Sequence, residues 1–205
     1  MRLGSISSIG RHRFEIDGTG VRTLIVFSGC PLKCKYCINS YTWKDTEKSR
    51  NYSVSELLSK VSIDSIYFEA TNGGITFGGG EPLLQAEFIS EFINNAPKTW
   101  NYIVETSLSV PFDKIKLLSD KISKFVVDIK SLDSKIYQEY TSISISLAIE
   151  NLLKLKQLVG VNKIQVRVPI IPGYADEQSQ KNTVEELRAY GFEDIDVFTY
   201  KTKAM

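Results

Sequence analysis

Cysteine is almost missing from this chain: Cys30, Cys34 and Cys37 are the only three, and none lies elsewhere. An odd count confined to one short loop cannot build a disulfide framework. Histidine is scarcer still. The single one, His12, stands well upstream of the cysteines, so a structural zinc site is short of the four ligands it takes. His12 itself reads as a surface or loop residue and not as a ligand. No apolar run is long enough to span a membrane and no signal peptide is recognisable, which points to a reducing, cytoplasmic setting where thiols stay free. An excess of one charge is lacking too. The net charge is +1, with acidic and basic residues interspersed, so there is neither the basic stripe of a nucleic-acid binder nor the charged run of a tail. Low-complexity segments, sequence repeats and linkers are absent as well, and residues 1–205 read as one domain large enough for a full core.

What the chain does have is a spacing. The cysteines stand as C-x3-C-x2-C. A four-iron–four-sulfur cubane is ordinarily held by four thiolates, and three leave one iron without a protein ligand, open to a substrate or cofactor. The spacing favours such a cluster over zinc or free thiols, and chemistry at the metal over electron storage. With no further cysteine, a second cluster is excluded.

Strand and helix signals alternate along the rest of the chain. Residues 22–28, 75–77, 102–106, 125–129, 164–171 and 195–199 are short runs rich in β-branched and aromatic residues, and read as six strands. Ser53 and Glu56 form a capping box before a helical face of Val54, Leu57, Leu58 and Val61. Pro82 opens a helix with a stripe of Leu84, Phe88, Ile89, Phe92 and Ile93. Residues 111–118, 133–140, 145–159 and 177–190 read as further helices, the last stopped by Gly191. Such alternation argues for parallel strands with right-handed crossovers, and six units are too few to close an eight-stranded barrel. The expected architecture is α/β, an open partial (β/α)6 barrel of parallel strands with helices on the outside. Ligands of such sheets bind at the carboxyl ends of the strands, where the cysteines, residues 78–81, Glu105, Thr106 and Lys130 all fall.

Gly78-Gly79-Gly80-Glu81-Pro82 follows the second of these strands. Glycines let backbone groups approach a ligand with no Cβ in the way, and Glu81 adds a carboxylate at the same edge. The run matches neither of the glycine-rich phosphate-binding motifs, so a nucleotide phosphate is not its obvious ligand.

Together with the cysteines, in this order and on these strands, the glycine run resembles the radical S-adenosylmethionine superfamily. Within it, the chain is similar to the glycyl-radical-enzyme activases of the pyruvate formate-lyase activase type, in a short form. The likeness covers nearly the whole chain. Asp17-Gly18-Thr19-Gly20-Val21-Arg22 resembles the family's D-G-P-G-(I/V)-R, with threonine for proline; Val127-Asp128-Ile129-Lys130 resembles its D-(L/I/V)-K strand end; Arg167 with Pro172-Gly173 resembles its R-x4-P-G segment. The resemblance implies a 4Fe–4S cluster on Cys30, Cys34 and Cys37, with S-adenosylmethionine on its open iron. It places Gly79 and Gly80 beside the cofactor's amino group, Tyr36 and Ile38 beside adenine, and Asp128 and Lys130 at the ribose and carboxylate end, with Glu81 and Ile129 also among the cofactor-binding residues. Arg167 would neutralise nearby charge, and Glu105 and Thr106 stand where some relatives hold a monovalent cation. Where the family has a histidine past the last strand, this chain has Tyr200 followed by Lys201, and Lys201 is read as its partial substitute. The implied activity is reductive cleavage of S-adenosylmethionine to a 5'-deoxyadenosyl radical that installs a glycyl radical on a partner enzyme, anaerobically, with a flavodoxin- or ferredoxin-like reductant. The alternatives are a radical enzyme acting on a peptide or small molecule, and a non-catalytic iron–sulfur sensor.

Anaerobic reconstitution should give about four irons and four sulfides per chain, lost together when all three cysteines become alanine. One zinc per chain with no visible chromophore would contradict the cluster.

Overall fold

Every run expected to be a strand forms one in the computed structural model, which describes residues 2–43 and 49–200. The strands are β1 Leu3–Phe14, β2 Val21–Phe27, β3 Arg50–Ser53, β4 Gly74–Gly79, β5 Asn101–Thr106, β6 Lys124–Asp128, β7 Ile164–Ile170 and β8 Ile195–Thr199. The helices are α1 Val54–Val61, α2 Ser65–Thr71, α3 Ala86–Asn95, α4 Phe112–Leu118, α5 Ser134–Thr141, α6 Ser146–Val159 and α7 Glu177–Ala189. One sheet runs β3-β1-β2-β4-β5-β6-β7-β8. From β2 to β8 all neighbours are parallel. Because each strand lies beside its predecessor, the crossovers keep to one face and the sheet curls as an open, unclosed barrel.

Two strands were not legible as such. β1 pairs antiparallel with both β2 and β3, so the sheet has eight strands rather than six. The sequence of β1, LGSISSIGRHRF, mixes glycine, serine and arginine, and its register slips twice against β2, which breaks the period-2 pattern. β3 is only RNYS, four mostly polar residues. His12 therefore lies on a strand, not in a loop, and its Nε2 stands 3.0 Å from the buried Asp64.

Strand alternation sorts the side chains. Ile25, Phe27, Phe77, Val104, Phe125, Val127 and Val166 turn outward into the core under the helices, while Leu24, Val26, Glu105, Asp128 and Arg167 turn inward. The capping box forms: the Ser53 N–H donates to Glu56 Oε2 at 2.8 Å and the Glu56 N–H to Ser53 Oγ at 3.3 Å. Pro82 opens a 3-10 turn, Pro82–Gln85, before α3. Leu84 falls on that turn and is 40 % exposed, whereas Phe88, Ile89, Phe92 and Ile93 are buried as expected. Among the described residues no helix is long and apolar enough to cross a membrane.

The D-G-T-G-V-R segment turns the chain into β2 beneath the barrel. Arg22 is buried and saturated, donating to Thr76 Oγ1 at 2.7 Å, Ile75 O at 2.6 Å and Asn101 O at 3.1 Å. At the opposite end, the loops after β2 and β4 cross. The Gly80 N–H donates to Phe27 O at 3.0 Å and the Glu81 N–H to Gly29 O at 2.7 Å. A Cβ on Gly80 would lie 2.2 Å from the Gly29 carbonyl oxygen. Glycine is required there by the neighbouring backbone, not by an open cradle. Gly80→Ala should therefore lower stability by roughly 1–3 kcal/mol, the usual range for overpacking, and lower the iron retained after reconstitution. Gly10→Ala, whose Cβ meets nothing nearer than 3.5 Å, should do neither. Urea midpoints and iron content check both, and a fully loaded, stable Gly80→Ala would contradict the crossing.

Candidate active site

Beyond β2 the chain reverses through Gly29, whose φ of 94° suits glycine, into the cysteine loop. Three anchors fix that loop. The Lys33 N–H donates to Thr141 O at 2.8 Å and the Lys35 N–H to Tyr140 O at 3.1 Å, docking it on the end of α5. Asn39 Nδ2 donates to Gly79 O at 3.4 Å, tying it to the glycine run. Lys33 also donates to Cys30 O at 3.2 Å and lies over the Trp43 ring.

The three cysteines share one cavity of about 570 Å³ with Gly79, Gly80, Glu105, Asp128, Lys130 and Arg167, a size within the roughly 300–1,000 Å³ of small-molecule sites. Burial, reinforced by Glu81, pushes the Cys30 thiol up to about 12, and burial pushes Cys34 up to about 11 despite nearby Lys130. Buried thiols of this kind become thiolates when a metal supplies the balancing positive charge.

A line of alternating charge crosses the inner face of β5, β6 and β7. Glu105 meets Arg167 at 3.0 Å, and Arg167 grips Asp128 with two bonds of 2.8 and 3.2 Å. Lys130 lies 3.2 Å from Asp128 and donates to Tyr200 Oη at 2.8 Å. Sheet register builds this line, because Asp128 and Arg167 are direct partners across β6 and β7. Burial opposes ionisation at every member. For Asp128 the two cations outweigh it, holding the carboxyl down at about 2. Burial is likewise the largest single influence at Lys130 and Arg167, yet Asp128 with Tyr200 and Cys34 at the first, and Asp128 with Glu105 at the second, together outweigh it and raise both. At Glu105 burial prevails over Arg167, and its carboxyl is raised.

Of the other residues singled out in the sequence, Glu81, Thr106 and Ile38 also line this cavity, whereas Ile129 and Tyr36 do not. Glu81 is buried and turns into the protein, accepting from Thr106 Oγ1 at 2.7 Å, from Ser107 N and Oγ at 2.8 and 2.7 Å, and from Leu83 N at 3.2 Å. It braces the glycine turn against the end of β5 and occupies Thr106 in doing so, while Arg167 occupies Glu105. Ile129 is fully buried in the core under the helices, away from the cavity. Tyr36 packs edge-on against Tyr140 and Tyr174, at centroid distances of 6.1 and 5.8 Å. Ile38 is on the cavity wall and 82 % exposed. Lys201 lies outside the described residues, and its neighbour Tyr200 is the residue that reaches the charged line.

Asn39 and Ser107 had no signal beyond their neighbours, whereas Tyr200 stands just past the last strand, where the sequence points to Lys201 instead. Arg13 and Asp17 form an ion pair in the cavity wall; Asp17 stood in a motif, but its partner did not. A second space of about 470 Å³ lies beyond the Glu105–Arg167 pair, bordered by Asp17, Lys124 and Asp196.

The donor set fits a 4Fe–4S cluster. Three thiols face one cavity, and among the described residues no three His, Cys, Asp or Glu side chains converge as a ready single-ion site. Thiolates on separate irons of a cubane need no such convergence. Comparison with known proteins agrees. The Radical SAM superfamily model matches residues 24–187. The pyruvate formate-lyase-activating enzyme of Clostridium pasteurianum is 28 % identical over 98 % of this chain and 82 % of its own length. The pyruvate formate-lyase 1-activating enzyme of Escherichia coli K12 is 30 % identical over 88 % of this chain and 76 % of its own. In fold, the chain is similar to Streptococcus suis SuiB bound to S-adenosylmethionine, with a TM-score of 0.65 and 14 % identity over 88 % of this chain. It spans only 43 % of that longer protein. The chain belongs to the radical SAM superfamily, whose members bind a 4Fe–4S cluster and S-adenosylmethionine, and within it to the family of the pyruvate formate-lyase-activating enzymes.

Proposed function

We propose that this chain is an activating enzyme that takes a hydrogen atom from a backbone glycine of a partner protein and leaves a glycyl radical there. The observation that supports this reading best is the single open cavity shared by the three cysteines and the charged line, in a chain similar over most of its length to activating enzymes. The bound cluster and S-adenosylmethionine supply the radical chemistry, by reductive cleavage to a 5'-deoxyadenosyl radical.

The chain's own residues bind and orient. Cys30, Cys34 and Cys37 are the residues that would hold a 4Fe–4S cluster, and three thiolates would leave one iron for the cofactor. Lys130 has three N–H donors; Asp128 and Tyr200 engage two, and the third is free for a carboxylate. Asp128 is clamped by Arg167 and still has lone pairs for a ribose hydroxyl. Leu24 and Val26 form an apolar floor that keeps water from the reacting atoms. Ile16 and Ile38, exposed at the wall of the cavity, offer apolar contact to an entering loop. The partner is a glycyl radical enzyme, the reductant a flavodoxin- or ferredoxin-like protein, and the setting an anaerobic cytoplasm.

Asp128→Asn should keep its iron yet bind S-adenosylmethionine about 5–150-fold more weakly, the equivalent of losing a polar contact of roughly 1–3 kcal/mol; unchanged binding by anaerobic titration would put the pocket elsewhere. Deuterium at the α-carbon of the partner's C-terminal loop glycine should appear in 5'-deoxyadenosine as a glycyl radical signal grows. Cleavage without transfer would favour a peptide or small-molecule substrate, and no cleavage would favour a sensor.

A further inference from the structure

The sheet ends in β3 on one side and β8 on the other, and the opening of the barrel lies between them. β3 pairs with β1 only from Leu3 to Ile6, so the rest of β1 borders the opening, with Gly10 and Arg13 on the cavity wall. β8 is the other flank. Its parallel ladder with β7 is fixed by the Val166 N–H donating to Asp194 O at 2.9 Å and the Tyr200 N–H to Ile170 O at 3.0 Å. Backbone groups alternate in direction along a strand. The ladder therefore uses Asp194, Asp196, Phe198 and Tyr200, and the N–H and C=O groups of Val197 and Thr199 turn to the open edge. Among the described residues no strand pairs with that edge.

Open edges are commonly guarded by lysine, proline or a bulge. β8 has none of these: it reads IDVFT, and its register with β7 is unbroken. Val197, on the outer face, is 52 % exposed. On the inner face Asp196 borders the lower space of about 470 Å³, while Phe198 and Tyr200 line the cavity of the cysteines. A segment laid along β8 thus runs from one space to the other within four residues, about 13 Å. Charge in the lower space is not balanced. Arg167 is taken by Glu105 and Asp128, Lys124 by Asp194 and Arg13 by Asp17. Glu15 and Asp196, both on the wall of that space, are left without an ion-pair partner among the described residues. A second copy of β8 would add carboxylates here and shut the opening, whereas a segment with a basic side chain complements it.

Resting on the activating-enzyme reading above, we propose that the partner's glycine-bearing loop enters extended and adds to β8 as a further strand. It bonds to the backbone of Val197 and Thr199, with a lysine or arginine at Asp196 and the glycine at the Tyr200 end. In such strand addition main-chain bonds give affinity and alternate side chains give specificity. The pairing register then decides which residue of the loop stands beside the cysteine cavity.

A synthetic peptide of the partner's loop tests this on reconstituted protein loaded with S-adenosylmethionine, with the KM for deuterium transfer as readout. Copies carrying an ester oxygen in place of single backbone N–H groups are compared with it. Esters at every second position should raise KM about five- to tenfold, as expected for one lost hydrogen bond, and those between should leave it near the parent's. Val197→Pro, which removes an edge N–H that β7 does not use, should raise KM for the parent peptide by a similar factor. Asp196→Asn should weaken the parent peptide but not one whose basic residue is replaced by alanine. An ester series without alternation, or an iron-loaded Val197→Pro with unchanged KM, would overturn the proposal while transfer itself upholds the activating-enzyme reading. The ester series decides alone if Val197→Pro loses its iron. A dimer in sedimentation that Val197→Pro dissociates would assign the edge to a second copy and likewise overturn the proposal. Cofactor cleavage with no transfer from the parent peptide would overturn both.

Discussion

The carbonyl of Gly29 accepts the Glu81 N–H and occupies the space a side chain on Gly80 would need. This one backbone contact makes the cysteine loop and the glycine loop a single unit. Loops at the ends of strands are ordinarily the mobile part of an α/β fold. Here the crossing, the Asn39 bond to Gly79 and the docking on α5 hold three thiols against one wall of the barrel mouth. Glu81 extends the unit to β5 through Thr106 and Ser107. The buried carboxylate therefore braces the cavity wall that the glycines and cysteines form.

Facing that unit is a line of charges whose formal sum is zero. Glu105, Arg167, Asp128 and Lys130 alternate in sign, and each pair lies within hydrogen-bonding or ion-pairing distance. Removing one member of a buried pair leaves an uncompensated charge, which is strongly unfavourable, so the line is held by mutual need as well as by the register of β6 and β7. A ligand bearing an amino group, a carboxylate and a ribose finds both signs within reach and need not alter the net charge of the cavity. An open barrel suits such a site, since six parallel strands leave a side through which a larger partner can approach.

How much of this was legible depends on where the information resides. The six parallel strands announce themselves by β-branched and aromatic composition, and α1 by a capping box that forms as written. β1 escaped because bulges and its Gly, Ser and Arg residues erase the alternation, and β3 because four residues carry no period. The cysteine spacing needs no tertiary context, and the three thiols do come to one cavity. The side-chain directions did need it. Nothing in G-G-G-E-P tells that the Glu81 carboxylate turns toward Ser107, whereas alternation along the D-I-K strand end, which puts Asp128 and Lys130 on one face, sends Ile129 to the other.

The central claim is that three thiolates leave one iron open to S-adenosylmethionine. Electron–nuclear double resonance on the reduced, loaded protein tests it directly, with the cofactor labelled by nitrogen-15 at its amino group. The account predicts a hyperfine coupling from that nitrogen, typical of direct binding to iron, that changes with the isotope. A reduced cluster with no nitrogen coupling at saturating cofactor would contradict it.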